Sequence, residues 1–152
     1  MIVVGRDRGD PLIEASEEYL RRVARTLPAE TVELKEVPLR KNASAETVMA
    51  AEAKRILDVL GPRDRVIALD KGGRMMTSEE LAERIDTLRQ SSFPALSLVI
   101  GGPSGLHRTV LERADERWSL SKMTFPHRLA RLVLSEQLYR ATSILRGEPY
   151  HK

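Results

Sequence analysis

The sequence predicts an α/β fold with a mainly parallel sheet flanked by helices. Three observations lead there. Short apolar runs of strand length alternate five times with segments of helical period, in the order β-α-β-α-β-α-β-α-β-α. Residues 66–69 and 96–100 are nearly continuous apolar runs, as expected of parallel strands covered on both faces. Helix start and stop residues stand between the runs where the alternation needs them.

Taken in order, Ile2, Val3 and Val4 form a short buried strand closed by Gly5. Asp10 caps the first helix, with Pro11 at its first position, where the missing N–H costs nothing. Ile13, Leu20, Val23, Ala24 and Leu27 recur at helical spacing until Pro28 stops the helix. Val32 and Leu34 alternate with Glu33 and Lys35, predicting a strand over residues 31–37. Residues 38–43 form a basic irregular loop. Ser44 caps a helix carrying Val48, Ile56, Val59 and Leu60, and Gly61-Pro62 ends it with a left-handed cap. After the strand at 66–69, Asp70-Lys71-Gly72-Gly73 reads as a turn. Thr77-Ser78-Glu79-Glu80 is a capping box opening a helix with Leu81, Ile85 and Leu88 on its inner side. The strand at 96–100 runs into Gly101-Gly102-Pro103-Ser104-Gly105. A brief helix over 109–113, a strand over 118–120 and a long helix from about His127 to Leu145 complete the order, with a break at Gly147. The last helix has apolar residues on more than one face, so it is expected to be covered on two sides.

At 152 residues the chain is long enough for one domain, spanning 1–152, with a substantial core. No apolar run approaches the roughly 20 residues that cross a bilayer. The first residues lack the basic-then-apolar order of a secretion leader, so a cytoplasmic protein is expected. The absence of Cys removes disulfides, thiolate nucleophiles and thiolate metal sites together. The net charge of +3 is unevenly placed. Residues 118–152 hold six basic groups against two acidic ones, a local +4. That excess attracts a polyanion such as nucleic acid, or is simply a solvated basic helix face.

Three strand ends carry unusual residues: Leu69 to Gly73, Ile100 to Gly105, and Trp118 to Arg128. If the strands are parallel neighbours, all three loops share the sheet edge where α/β proteins bind ligands. The glycine pattern is neither G-x-G-x-x-G nor G-x-x-x-x-G-K-[ST], which disfavours a dinucleotide or P-loop site. There is no H-E-x-x-H and no carboxylate cluster at metal spacing, so no metal is expected. Ser104 lacks the surrounding spacing of a nucleophile elbow. What remains is a ligand held by main chain and apolar contact. An adenosine-bearing cofactor fits, its ring against Leu69, Leu120 and Phe125.

Several stretches then coincide with one family. They are Ile100-Gly101-Gly102-Pro103-Ser104-Gly105-Leu106, Leu120-Ser121-Lys122-Met123-Thr124-Phe125-Pro126-His127 with Arg131 four residues on, Glu136-Gln137-Leu138-Tyr139-Arg140-Ala141, and the ending Gly147-Glu148-Pro149-Tyr150-His151-Lys152. In this order they closely resemble the ribosomal RNA large subunit methyltransferases H of the SPOUT superfamily, over the whole chain. The segment around Lys71 to Met76 is where the resemblance weakens. The resemblance implies a C-terminal trefoil knot and a homodimer. It implies methyl transfer from S-adenosyl-L-methionine to N3 of a pseudouridine in helix 69 of 23S ribosomal RNA, on the assembled 70S ribosome. It also implies cofactor contacts at Leu69, Gly101, Leu120, Ser121, Lys122, Met123, Thr124 and Phe125.

Such a transfer needs in-line positioning and a group to take the N3 proton. His127 and His151 are the nearby residues whose protonation changes near neutral pH. His127 serves as base or merely as a helix cap. Tyr150 is expected to stack on or orient the base. Arg128, Arg131, Arg140 and Lys152 are expected to grip phosphate, although intrachain pairing with Glu136 competes for some of them. The rival readings are a non-enzymatic RNA-binding or ribosome-associated domain, and a methyltransferase of the same fold acting on tRNA.

Overall fold

A five-stranded sheet carries the molecule, in the order β2-β1-β4-β3-β5, and every named pair in it is parallel. The computed structural model describes residues 1–6, 9–39 and 43–151. The strands are β1 (Ile2–Val4), β2 (Val32–Leu34), β3 (Arg65–Arg74), β4 (Leu96–Ile100) and β5 (Glu116–Trp118). They alternate with α1 (Pro11–Val23), α2 (Ala45–Val59), α3 (Ser78–Arg89), α4 (Arg108–Arg113) and α5 (His127–Leu145). The α/β alternation expected from the sequence is therefore present element for element.

Both sheet faces are covered because the central strands are apolar on both. Val3, Ile67, Leu98 and Ile100 pack toward α1, α3 and α5, through Leu20, Val23, Leu81, Ile85, Leu134 and Leu138. Their neighbours Ile2, Val4, Val66 and Val99 pack toward α2 and α4, through Ala53, Ile56 and Val110. Each fully buried aliphatic side chain contributes about 1.5–3 kcal/mol. The last helix is enclosed on two sides, as its sequence requires. Buried Ser16 of α1 and Ser135 of α5 meet at 2.8 Å, small side chains that let those two helices approach closely.

The local signals act as read. Asp10 accepts the Leu12 N–H at 2.8 Å, Ser44 accepts that of Thr47, and Thr77 with Glu80 closes a reciprocal capping box. Gly147 (φ 67°) ends α5 in a Schellman arrangement, with Glu148 N–H on Ser143 O and Gly147 N–H on Ile144 O.

Five expectations are corrected. The strand after β1 is confined to Val32–Leu34 rather than 31–37. Gly61 is not left-handed: its N–H donates to Asp64 Oδ2 at 2.9 Å, and a Cβ there would meet Asp64 Oδ1 at 2.7 Å. Close approach, not backbone handedness, selects glycine at that position. The last strand is Glu116–Trp118, two residues earlier than 118–120. Most consequential, β3 does not end at Leu69. Leu69 and Arg74 both stand opposite Trp118, and residues 70–73 bulge out between them. The Asp70 carboxylate accepts the Gly72 N–H at 2.8 Å, and Arg74 O accepts the Ser119 N–H at 2.9 Å. The brief helix begins at Arg108, one residue before the expected start, and its cap is His107, whose Nδ1 accepts the Thr109 N–H. Of the predicted loop at 38–43, residues 40–42 lie outside the described ones.

One polar node locks β5 in place. Glu116 accepts from Arg84 of α3, from Arg65 of β3 at 3.1 Å and from the Trp118 indole at 3.1 Å. Burial would push this carboxyl up, but the donors overcome it and bring it down to about 2. The folded value lies below the ordinary 4.5, so the node's stabilisation is present above pH 4.5 and is lost as pH falls toward 2.

Two outcomes follow. A Cβ on Gly73 would lie 2.5 Å from the Trp118 carbonyl carbon, so Gly73→Ala should destabilise by about 1–3 kcal/mol, read as a lower urea midpoint. Glu116→Gln should be less stable than wild type at neutral pH, and the gap should close as pH is lowered from 4.5 to about 2. Urea titrations across that range measure it.

Candidate active site

The order β4-β3-β5 puts the three unusual strand ends side by side on one edge of a parallel sheet. They enclose a cavity of about 930 Å³, within the range of small-molecule sites. Leu69, Asp70 and Lys71 come from β3, residues 100–106 from the end of β4, and residues 119–130, except Lys122 and Leu129, from the segment entering α5.

Local chemistry shapes each wall. The loop after β4 is a tight turn with Pro103 at its second position and Gly105 N–H donating to Gly102 O at 2.9 Å. It folds back so far that a Cβ on Gly101 would lie 2.6 Å from Gly105 O. Backbone therefore lines this wall directly. In the next loop, Ser119 Oγ donates to Ser121 O at 2.9 Å and Ser121 Oγ accepts the Met123 N–H at 3.0 Å. These bonds hold the hydroxyl-rich run in a compact turn. Leu69, Ile100, Leu120 and Phe125 offer apolar surface between the two polar loops.

Pro126 occupies the cap position of α5, and no side chain caps that helix. Its first N–H groups remain available to a ligand beside the cavity. His127 is thus the first helical residue and not a cap. It reaches across to the end of β1, where Nε2 stands 3.3 Å from Glu36 Oε1. Gly5 makes room: a Cβ there would lie 3.3 Å from both atoms.

Of the eight residues expected to hold a cofactor, Leu69, Gly101, Leu120, Ser121, Met123, Thr124 and Phe125 line the cavity. Lys122 does not line it and is exposed. His127 and Arg128 also line the cavity. The remaining predicted residues lie elsewhere. Tyr150 donates to Glu136 Oε1 at 3.1 Å and packs edge-on against Tyr139, with ring centroids 4.8 Å apart. His151 Nε2 is 2.9 Å from Glu79 Oε1 at the start of α3. Glu136 and Tyr139 are 9 and 12 residues beyond His127, about 14–18 Å along the helix axis. The tail is therefore not brought to the cavity of its own chain. Burial, then hydrogen bonds to Tyr19 and Glu136, push the Tyr150 phenol up, so it stays protonated and is no proton acceptor.

The arginines are not a free phosphate-binding stripe. Arg131 is 3% exposed and pairs with Glu33 at 2.7 Å, so its expected role on RNA phosphate is corrected to an internal one. A guanidinium that dry, held by a carboxylate of β2, does not reach a polyanion outside. Arg140 makes a two-pronged contact with Glu136, at 3.0 and 2.5 Å, and stacks on Tyr150. Arg128 pairs with Asp10 at 3.1 Å. Lys152 lies outside the described residues. Among the described residues no group of three or more His, Cys, Asp or Glu is arranged to hold a metal, and no helix is long and apolar enough to cross a membrane.

Asp70 and Lys71, expected only as part of the strand-end turn, line the cavity through the unforeseen bulge. Sequence reasoning missed one participant. Glu36 reaches His127 across a strand crossing that no spacing rule reveals.

A parallel α/β sheet whose ligand edge is built by these loops defines a class, and a family model described as "Predicted SPOUT methyltransferase" matches residues 1–151. A solved structure, described as a probable methylase family protein from Haemophilus influenzae Rd KW20, shares the fold at TM-score 0.55 and 16% identity, covering 99% of this chain and 69% of that one. A protein of Anaeromyxobacter sp. (strain Fw109-5) named ribosomal RNA large subunit methyltransferase H is 51% identical over 152 residues, 100% of this chain and 97% of the relative. One of the same name from Rubrobacter xylanophilus is 49% identical, covering 99% and 96%. The chain belongs to the ribosomal RNA large subunit methyltransferase H family of SPOUT methyltransferases.

The burial of Arg131 has a measurable consequence. Arg131→Ala should cost about 1–3 kcal/mol, below the full penalty for a broken buried pair because Glu33 keeps some water contact, read as a lower urea midpoint.

Proposed function

We propose that this chain, as one SPOUT-type domain threaded as a C-terminal trefoil knot, methylates N3 of a pseudouridine in helix 69 of 23S ribosomal RNA on the assembled 70S ribosome. S-adenosyl-L-methionine is the donor and the working form is a homodimer. The observation that carries the reading is the convergence of seven of the eight expected cofactor residues on one cavity at the ends of β4, β3 and β5. The relatives' names support the ribosomal substrate.

The residues present suit the cofactor. Leu69, Leu120 and Phe125 form apolar walls for an adenine ring, and the backbone of residues 101–105 and 119–125 offers donors and acceptors to its polar edges. When bound, the cofactor supplies an electrophilic methyl group on a sulfonium. The chain's own work is then positioning and proton removal. The turn held by Ser119 and Ser121 fixes one wall, and the turn at Pro103 fixes the other. His127, on the cavity wall and not capping α5, takes the N3 proton. Arg128 and the uncapped start of α5 hold a phosphate beside it.

Tyr150 and His151 dock about three turns up α5 from their own cavity. That position favours a site shared between protomers, one chain's tail completing its partner's cavity. Arg140, stacked on Tyr150, then serves the tail and reaches RNA only alongside it.

Labelled cofactor incubated with 70S ribosomes, isolated 50S subunits or tRNA tests the substrate. Label should enter 23S RNA of 70S ribosomes; label in tRNA alone would favour the tRNA reading, and failure to bind the cofactor at millimolar concentration the non-enzymatic one. Gly101→Ala should weaken cofactor binding at least about tenfold by calorimetry, because the new methyl forces the 101–105 turn open. Deleting residues 150–152 should lower transfer by about 100-fold or more while cofactor affinity stays within about twofold, since Tyr150 and His151 dock away from the same chain's cavity.

A further inference from the structure

Three buried polar atoms that lack a well-directed hydrogen bond meet at one place: Glu36 Oε1, Glu52 Oε2 and His127 Nε2. Orphaned atoms of this kind are rare in folded proteins and mark either strain or a working group. They lie behind the cavity at the ends of β1 and β4, where two glycines open the wall. Gly5 leaves space for the Glu36–His127 contact of 3.3 Å, and a Cβ on Gly102 would stand 3.0 Å from Glu52 Oε2. Glu52 is 2% exposed, in the interior of α2, an expensive place for a carboxyl without a role. Its other oxygen accepts the Val37 N–H at 3.0 Å, so it pins the backbone next to Glu36. A continuous line runs from Glu52 through Val37 and Glu36 to His127 and the cavity.

The ring's two nitrogens are differently placed. Nε2 is buried and turned to Glu36, while His127 also lines the cavity, which leaves Nδ1 as the nitrogen a bound base can reach. A carboxylate facing Nε2 favours the tautomer that carries its proton there. This is the arrangement in which an orienting acid makes an imidazole the acceptor on its far side.

We propose that Glu36 is the positioning residue of His127, held in place by Glu52: it keeps the proton of the neutral ring on Nε2 and presents the Nδ1 lone pair to the cavity. The inference rests on the reading of His127 as the base for N3. In the step, the N3–H bond breaks and Nδ1–H forms. The freed N3 electron pair makes the new N–CH3 bond, and the pair of the broken S–CH3 bond stays with sulfur. The product imidazolium is paired with the Glu36 carboxylate, so no charge is left isolated. Burial first pushes the Glu52 carboxyl up, against the Val37 N–H bond that lowers it and with the nearby Glu36 adding to the rise. Among the described residues, other charged groups about this corner include Arg55 on α2, which donates to Lys35 O, and Arg128 and Arg131 on α5, engaged by Asp10 and Glu33.

The test uses the full-length protein. With three histidines, two-bond proton–nitrogen spectra of labelled cofactor-free protein resolve each ring, and His127→Asn identifies the one at issue. The neutral His127 ring should be the Nε2–H form in wild type. In Glu36→Ala the Nδ1–H form should appear, and Glu36→Asp should restore part of the wild-type pattern. Single-turnover transfer to 70S ribosomes should fall about 100-fold in Glu36→Ala, with ribosome KM within about twofold. Glu52→Ala should loosen His127 in the same spectra. An unchanged His127 tautomer in Glu36→Ala, or transfer within about threefold of wild type, overturns the proposal. The two levels separate cleanly. Wild-type transfer by His127→Ala removes His127 as base and the proposal with it, whereas a dead His127→Ala beside an active Glu36→Ala removes the positioning role alone.

Discussion

The close crossing of β3 over β5 is the constraint on which the site depends. β3 passes Leu69, bulges, and returns to Trp118 at Arg74, so one residue of β5 faces two of β3. The return is possible only because Gly73 has no side chain where the Trp118 backbone passes. Ser119 N–H then closes on Arg74 O, which fixes the direction in which the chain leaves the sheet. The Glu116 node holds the other end of β5 against α3. With both ends held, the run from Ser119 to Phe125 folds over the sheet edge rather than away from it, and the cavity exists.

The same economy of space appears wherever the cavity is lined by main chain. Gly101, Gly5 and Gly102 each stand where a side chain would strike another wall. Backbone approach replaces side-chain contact, which suits a ligand bound by many small polar and apolar contacts. It also opens the back of the cavity to Glu36 and Glu52, so a shielded oxygen of half-buried Glu36 and the buried Glu52 carboxyl come up behind His127. α5 links the two regions. Its start borders the cavity, its middle carries Glu136 and Tyr139, and the tail docks there.

The charge pattern illustrates how a count differs from a field. The basic excess of residues 118–152 is real in number, yet Arg128, Arg131, Arg140 and Arg146 each face a carboxylate: Asp10, Glu33, Glu136 and Glu148. Asp10 and Glu33 come from distant parts of the chain, so no window of sequence pairs them with α5. Exposed pairs of this kind can open to a polyanion at little cost. The buried Arg131 cannot, and its charge serves the junction of β2 and α5.

By itself, the sequence determined the order of elements, the capping of α1, α2 and α3, the glycine stop of α5, and the three loops that meet at one edge. These follow from local rules: periodicity, caps and turn residues act within a few positions of where they are written. Seven of the eight residues expected to hold a cofactor line the cavity because they sit in those loops. Tertiary structure alone decided the bulge of β3, the place of Lys122 outside the cavity, the burial of Arg131, the docking of Tyr150 and His151 far from their own cavity, and the meeting of Glu36 and Glu52 with His127. Each of these arises where strands or helices distant in sequence cross within van der Waals contact. There, the space left by a missing side chain matters more than any residue's own preference.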